Sequence, residues 1–467
     1  MMSLLGGDSA IYVRLKKTIN LINIYHYYTG CFAMTAEIVV INNTGIALAA
    51  DSAVTTEHNR LVKINNSAEK LFELSKHHPV GIMIYNNATL GGAPWELIIK
   101  SYRKQLGKTS FPTIKEYVND FVKFINGNSD LITNEMREAC VINLVVDNLK
   151  GLMRYINDNN VVNYLTMNPA VELDNVIFQN IVKQAFDLEI EILRNNLFFE
   201  GFDTEEFNDA LAYIQDLISP YISSIIVLDN CENIQQELME KVILYSTCLI
   251  FKVHASRTYS GIVITGYGEE EYYPSICTLH IYGIFKNKLM IHNINDKSHN
   301  KVTNMGFVIP FAQEDEVVTF IDGCNPNIIN FNRTLTEEVF DRLNHYVSSN
   351  IFPAMNNGVL ANHFSSEIEE LKNVLLQDHD TKLESYIVNN HTNKMISMLQ
   401  SLGKADLAYM AESLVNITAF KRKVSHDYET VGGPVDVAVI SKVDGFVWVN
   451  RKHYFPKELN SNYFNRQ

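Results

Sequence analysis

The stretch Thr35-Ala-Glu-Ile-Val-Val-Ile-Asn-Asn-Thr-Gly-Ile-Ala-Leu-Ala-Ala-Asp51 decides how this chain is read. Within it, Glu37-Ile-Val-Val-Ile41 is a short β-branched run. Asn42-Asn-Thr-Gly45 supplies turn chemistry, and Ile46-Ala-Leu-Ala-Ala50 resumes the apolar run, so the segment predicts a β-hairpin. A second pair of runs follows, Ala68-Glu-Lys-Leu-Phe-Glu-Leu74 and Val80-Gly-Ile-Met-Ile-Tyr85, on either side of a polar break at Ser75 to His78. Gly91, Gly92 and Pro94 then punctuate the chain. Pro94 suits the first turn of a helix, and Trp95 to Leu106 has helical spacing of apolar residues. Two hairpins and a helix are therefore expected after Thr35.

Further along the pattern changes in kind. Ile114 to Ile125, Thr133 to Ile156, Asp174 to Leu197, Thr204 to Ile218 and Asn233 to Val253 read as helices separated by Asn/Asp/Gly-rich joints. Strands return at Tyr259 to Gly266, Ser275 to Phe285 and Lys288 to Ile294. Helices are expected over 313–323, 335–350, 365–399 and 404–418, and a last hairpin over Val435 to Ile440 and Phe446 to Val449. No internal repeat, low-complexity tract or flexible linker separates these pieces. The division that follows is a segment 1–34 before the core, a first core part 35–109, a helical insertion 110–255, and a second core part 256–467 with additional helices.

Bulk chemistry removes several function classes. The chain has 53 acidic against 39 basic residues, a net charge of -14, and no basic stripe. Nucleic acid and anionic membrane surfaces are accordingly not expected partners. Cys31, Cys140, Cys231, Cys248, Cys277 and Cys324 form no CxxC pair, and the histidines make no ligand-spaced cluster with them. A disulfide framework or zinc site is not expected, and a reducing, cytoplasmic compartment fits best. No run approaches the ~18 apolar residues of a membrane span. Residues 1–34 carry Arg14, Lys16 and Lys17 but no continuous apolar core, which reads as a dispensable leader or a start assigned too early.

The segment from Thr35 to Asp51 resembles the mature start of proteasome β-subunits and of their bacterial relative, the HslV-type peptidase. In that family a nucleophilic threonine opens a strand, a glycine turn follows, and an LAAD segment ends on a structural aspartate. Asp51 lies sixteen residues after Thr35, which is the family's spacing. The next family element is a lysine before a short apolar strand, and Lys70 fills it, a few residues late, so the intervening loop carries a small insertion. What the resemblance implies is an α+β fold, a four-layer αββα N-terminal-nucleophile (Ntn) hydrolase sandwich, here with a helical insertion.

The chemistry gives these residue types a reason of its own. A threonine hydroxyl is a poor nucleophile until a base removes its proton, and a free α-amine on the same residue can do so. Such an amine titrates at about 7.7–8.0 when unperturbed. In the resemblance Lys70 keeps that amine neutral and Asp51 fixes Lys70. The scheme requires that no residue precede Thr35. Position 34 is methionine, where family members that excise their own propeptide normally have glycine. Met34-Thr35 instead suits translation from Met34 and removal of Met34 by an aminopeptidase that accepts a small second residue.

A second match lies late in the chain. Asp427-Tyr-Glu-Thr430, followed by Gly432-Gly433-Pro434-Val435, resembles the family's D-x-x-S-G-G segment, with Val431 intruding. Carried over, Asp427 and Thr430 support the Thr35 amine by hydrogen bonding. The oxyanion donor falls on a backbone N–H in Tyr85-Asn86-Asn87-Ala88, with Asn86 where the family usually has glycine. Asn tolerates positive φ better than most residues, and such a donor contributes roughly 2.7–4 kcal/mol of transition-state stabilisation. The stretch Thr265-Gly-Tyr-Gly-Glu-Glu-Glu271 lacks the lysine and hydroxyl residue of a phosphate loop, and its acids would repel phosphate, so it reads as a strand-ending turn.

The expected activity is hydrolysis of an amide, a peptide bond first of all, through an acyl-enzyme on Thr35, with no metal or organic cofactor. Two rival readings stand beside it. One is a small-molecule Ntn acylase or amidase, its pocket walled off by the helical insertion. The other is a catalytically silent, proteasome-like scaffold subunit. Family members stack into rings often fed by an ATP-driven unfoldase, so a homo-oligomer and such an unfoldase are the partners the resemblance implies.

Overall fold

The computed structural model describes residues 35–58, 61–65, 68–222, 224–226, 234–255, 259–298, 306–352, 358–424 and 432–464. The hairpin of the opening stretch is present as β1 (Ala36–Asn42) and β2 (Gly45–Ala50), paired from Glu37↔Ala50 to Asn42↔Gly45. Its turn is held by Asn42, whose side-chain oxygen accepts from Thr44 N at 2.8 Å and from Thr44 Oγ1 at 2.7 Å. A two-stranded ribbon that the sequence reading lacked follows, β3 (Val54–His58) with β4 (Leu61–Asn65). Then come β5 (Leu71–Glu73) and β6 (Val80–Asn86), the expected second hairpin, and the short pair β7 (Thr89–Leu90) and β8 (Ala93–Pro94). Helix α1 (Trp95–Leu106) starts directly after Pro94, as the fixed φ of proline favours, and stops at Gly107, where φ is 55°.

The helices continue as α2 (Ile114–Gly127), α3 (Asn134–Tyr155), α4 (Val162–Met167), α5 (Asn175–Asn195), α6 (Thr204–Ile222) and α7 (Gln236–Phe251). Asp203 caps α6, its side chain accepting from Glu206 N at 2.9 Å, and two further helices begin in the same way. Thr133 accepts from Met136 N and Asp174 accepts from Ile177 N, each satisfying a backbone donor the helix itself cannot. Next are β9 (Ser260–Gly266), β10 (Ser275–Phe285), β11 (Lys288–Ser298) and β12 (Phe307–Ala312). The chain goes on through α8 (Asp315–Asp322), α9 (Pro326–Tyr346), α10 (Gly358–Ile387), α11 (Asn393–Leu399) and α12 (Lys404–Val424). The hairpin β13 (Asp436–Ser441) and β14 (Gly445–Asn450) and the short α13 (Ser461–Phe464) close the described residues.

The architecture is α+β, built on two antiparallel five-stranded sheets with orders β12-β1-β2-β13-β14 and β11-β10-β9-β6-β5. Strands of this kind present alternate residues to opposite faces, and here both faces are apolar. Val39, Ile41, Ile46 and Leu48 meet Met83 and Val263 of the other sheet. Ile38, Val40, Ala47 and Ala49 pack the opposite way, against Leu407, Ala411, Leu414 and Val415 of α12. On the far side of the second sheet, Ile82, Ile84, Ile262 and Ile264 pack against Trp95 and Tyr102 of α1 and Tyr117 and Phe121 of α2. Each fully buried aliphatic or aromatic side chain contributes roughly 1.5–3 kcal/mol. β1, buried along its whole length, is therefore held firmly, and so is the residue at its head.

The run expected as one insertion over 110–255 divides. The apolar face of α2 belongs to the layer covering the second sheet, beside α1. From α3 onward the helices build a separate core, with Val145, Leu149, Val182, Phe186, Ile214, Val242 and Leu249 packed together. That core joins the sheet through Phe285 and Met290 at the β10–β11 turn. Periodicity shows that a helix has an apolar face but not which neighbour buries it. Among the described residues no helix is long and apolar enough to cross a membrane.

Candidate functional site

Thr35 sits at the head of β1, its carbonyl accepting from Gln313 N at 3.2 Å just past the end of β12. Since Val39 and Ile41 face the other sheet, alternation turns Glu37 and Thr35 toward that same inter-sheet side. The Thr35 hydroxyl donates to Glu37 Oε2 at 2.9 Å. Lys70, at the entry to β5 of the second sheet, reaches into the same space. Its Nζ lies 2.5 Å from Asp51 Oδ1 and 3.1 Å from Glu37 Oε1. The four side chains are almost wholly removed from solvent, at 1% for Thr35, 0% for Glu37 and Asp51, and 4% for Lys70.

Asp51 is the anchor of the cluster. Besides Lys70, its carboxylate accepts from three backbone N–H groups: Ala36 at 3.2 Å, Ala53 at 3.3 Å and Gly432 at 2.9 Å. Its own N–H donates to Ala36 O at 3.1 Å. A buried carboxylate needs this many donors to offset lost hydration. The same bonds tie the Thr35–Ala36 backbone to the segment before β13. Ser52 reinforces the link, donating from its N–H to Gly432 O at 3.2 Å and from its hydroxyl to Pro434 O.

Glu37 carries the electrostatic tension of the site. Burial, only partly offset by Lys70 and augmented by Asp51, pushes its carboxyl up to about 7. Sequence reading counted Glu37 as the first residue of an apolar strand and gave it no role. The available signal was its position two residues after Thr35 on one strand, which puts both on one face. Gln313 and Gly432 were likewise not assigned a place at the site.

Of the six residues singled out from sequence, Thr35, Asp51 and Lys70 come together. Asn86 ends β6, which packs against β12, and its φ is 63°, in the left-handed region. Asp427 and Thr430 lie outside the described residues. Beside Asn86 stands an aromatic wall. Tyr85 Oη is 2.8 Å from His280 Nε2, and Tyr259 stacks on the His280 ring at 3.8 Å between centroids. Burial, with His292 adding to it, drops the His280 imidazole to about 3, so it is neutral at ordinary pH.

Chemically, the cluster offers a hydroxyl, a carboxylate that accepts its hydrogen bond, and a lysine that balances two carboxylates. Among the described residues no group of three or more His, Cys, Asp or Glu side chains is placed to hold a metal ion. No protein-family model matches the chain, and no curated protein matches it.

Proposed function

We propose that this chain is an Ntn hydrolase of the proteasome-like class, cleaving amide bonds with Thr35, freed at the chain start, as nucleophile. What supports the reading is one convergence. Thr35, Asp51 and Lys70, picked out by order and spacing along the sequence, meet in a single buried cluster at the head of β1. The succession of helices, sheet, sheet and helices also suits the αββα sandwich such an enzyme uses. In this reading Thr35 Oγ attacks the amide carbonyl, the amine departs, and water releases the acyl group from Thr35. The Asn86 N–H is proposed as the oxyanion donor.

One observation favours a second reading. Thr35 is 1% exposed in the chain as it stands, as befits a silent, proteasome-like scaffold subunit whose threonine never meets substrate. The two separate on one experiment. Protein translated from Met34 is checked by intact mass for loss of Met34, then assayed on fluorogenic peptides and small acyl amides, with Thr35→Ala as control. The enzyme reading expects turnover that the alanine variant loses, and the preferred substrate class distinguishes peptidase from small-molecule amidase. No turnover and no acylation of an exposed Thr35 would leave the scaffold reading standing.

A further inference from the structure

Resting on the reading of Thr35 as nucleophile, we propose that Glu37 is the proton acceptor for the Thr35 hydroxyl, a role that reading otherwise gives to the α-amine. The hydroxyl already donates to Glu37 Oε2 at 2.9 Å, within the 2.6–3.2 Å reach of a general base. The other carboxylate oxygen faces Lys70 Nζ at 3.1 Å, so one oxygen is held by a cation and the other is aimed at the nucleophile. Among the described residues, the charged and titratable groups around Glu37 include Lys70 before β5, Asp51 after β2 and, farther off, Tyr85 on β6. Its cross-strand neighbours in β1's own sheet, Ala50 and Phe311, are apolar.

The steps balance without a co-reactant other than water. Thr35 Oγ bonds to the amide carbonyl carbon while its proton passes to Glu37 Oε2. The C–N bond breaks and the proton leaves with the amine, giving an ester on Thr35. Water then attacks the ester carbon, losing a proton to the same carboxylate. The C–O bond to Thr35 breaks and Oγ recovers that proton. A carboxyl raised toward neutrality by burial is suited to this exchange, since a base works best near the operating pH. Because the acceptor is a side chain, activation of the hydroxyl does not depend on the charge state of the α-amine.

The test is the pH dependence of Thr35 acylation by a β-lactone probe, followed by intact mass on Met34-start protein lacking Met34. In the wild type the rate should rise with a midpoint near 7. A midpoint that Glu37→Gln leaves where the wild type has it overturns the proposal. Glu37→Gln should acylate about 100-fold more slowly or worse, with the residual rate following the amine. Glu37→Asp, which keeps a carboxylate, should be far less impaired and keep the lower midpoint. Its behaving like Glu37→Gln, or Glu37→Gln behaving like wild type, overturns the role of Glu37 and leaves Thr35 as nucleophile. Absence of acylation on wild-type Thr35 overturns the nucleophile reading itself, and the role of Glu37 with it.

Discussion

Lys70 Nζ lies 2.5 Å from Asp51 Oδ1, an ion pair that joins the two sheets and is buried on both sides. Lys70 leads into β5 and Asp51 leaves β2, so the pair fixes the sheets at the end where Thr35 emerges. A desolvated ion pair is not a source of net stability by itself; removing one partner is what costs, because it strands the other. Here the stranded group would be Asp51, whose remaining donors are backbone N–H groups of Ala36, Ala53 and Gly432.

Lys70→Met should therefore lower stability by about 3–5 kcal/mol, read as a fall in the urea midpoint with the slope unchanged. Glu37 and Asp51 would then share the site without a cation. Adding Glu37→Gln to Lys70→Met should recover part of the loss, since one of the two stranded carboxylates is gone. A double variant no more stable than the single would mean that Glu37 and Lys70 are not energetically linked.

The raised Glu37 carboxyl also makes a prediction about stability against pH. Its value is about 7 in the fold and about 4.5 in the unfolded chain, so between these the folded state holds a proton that the unfolded state has released. Stability from this group is fully present below about 4.5 and is lost as pH rises through about 7. Glu37→Gln abolishes the effect. The melting temperature of the variant relative to wild type should climb between pH 5 and pH 8, and thermal melts across that range measure it. A constant difference would place the Glu37 carboxyl near its ordinary value.

The sequence carried the outline of the site because order and spacing survive without knowledge of packing. Thr35, the turn, Asp51 and Lys70 could be found along the chain, and the hairpin from Ala36 to Ala50 follows from its turn residues. Glu37 was hidden because a glutamate at a strand end ordinarily faces water; its burial depends on Lys70, which is supplied by a different sheet. β12 was hidden for another reason. Pro310 interrupts Phe307–Ala312, and proline argues against a strand unless the strand lies at a sheet edge, where β12 does lie. The partition of the helices between sheet cover and separate core was beyond reach, since an apolar stripe, as α2 and α3 each carry, does not say which neighbour it will meet.

Gly261 offers a test of the aromatic wall. A Cβ built there falls 2.0 Å from the Tyr85 ring, a contact that must be relieved by moving Tyr85 away from His280. Gly261→Ala should cost about 1–3 kcal/mol, the usual price of overpacking. Tyr85→Leu made in the same chain should remove most of that penalty. Chemical unfolding of the two single variants and the double variant completes the cycle, and additive losses would show that the ring is not the obstacle.

Asn86 separates backbone geometry from side-chain chemistry at the same end of β6. Its φ of 63° lies where glycine is unstrained, Asn is tolerated and a β-branched residue is an outlier. Asn86→Gly should thus fold with stability within a few tenths of a kcal/mol of wild type, while Asn86→Val should lose about 1–2 kcal/mol. If the Asn86 N–H is the oxyanion donor, the side chain is dispensable and only the direction of that N–H matters. Asn86→Gly should then keep kcat, and Asn86→Val, by rotating the donor, should lower kcat by about 10²–10³-fold. Thermal melts and turnover on the same preparations decide it. Loss of kcat in the glycine variant at unchanged stability would assign the role to the Asn86 side chain, and unchanged kcat in the valine variant would move the donor elsewhere.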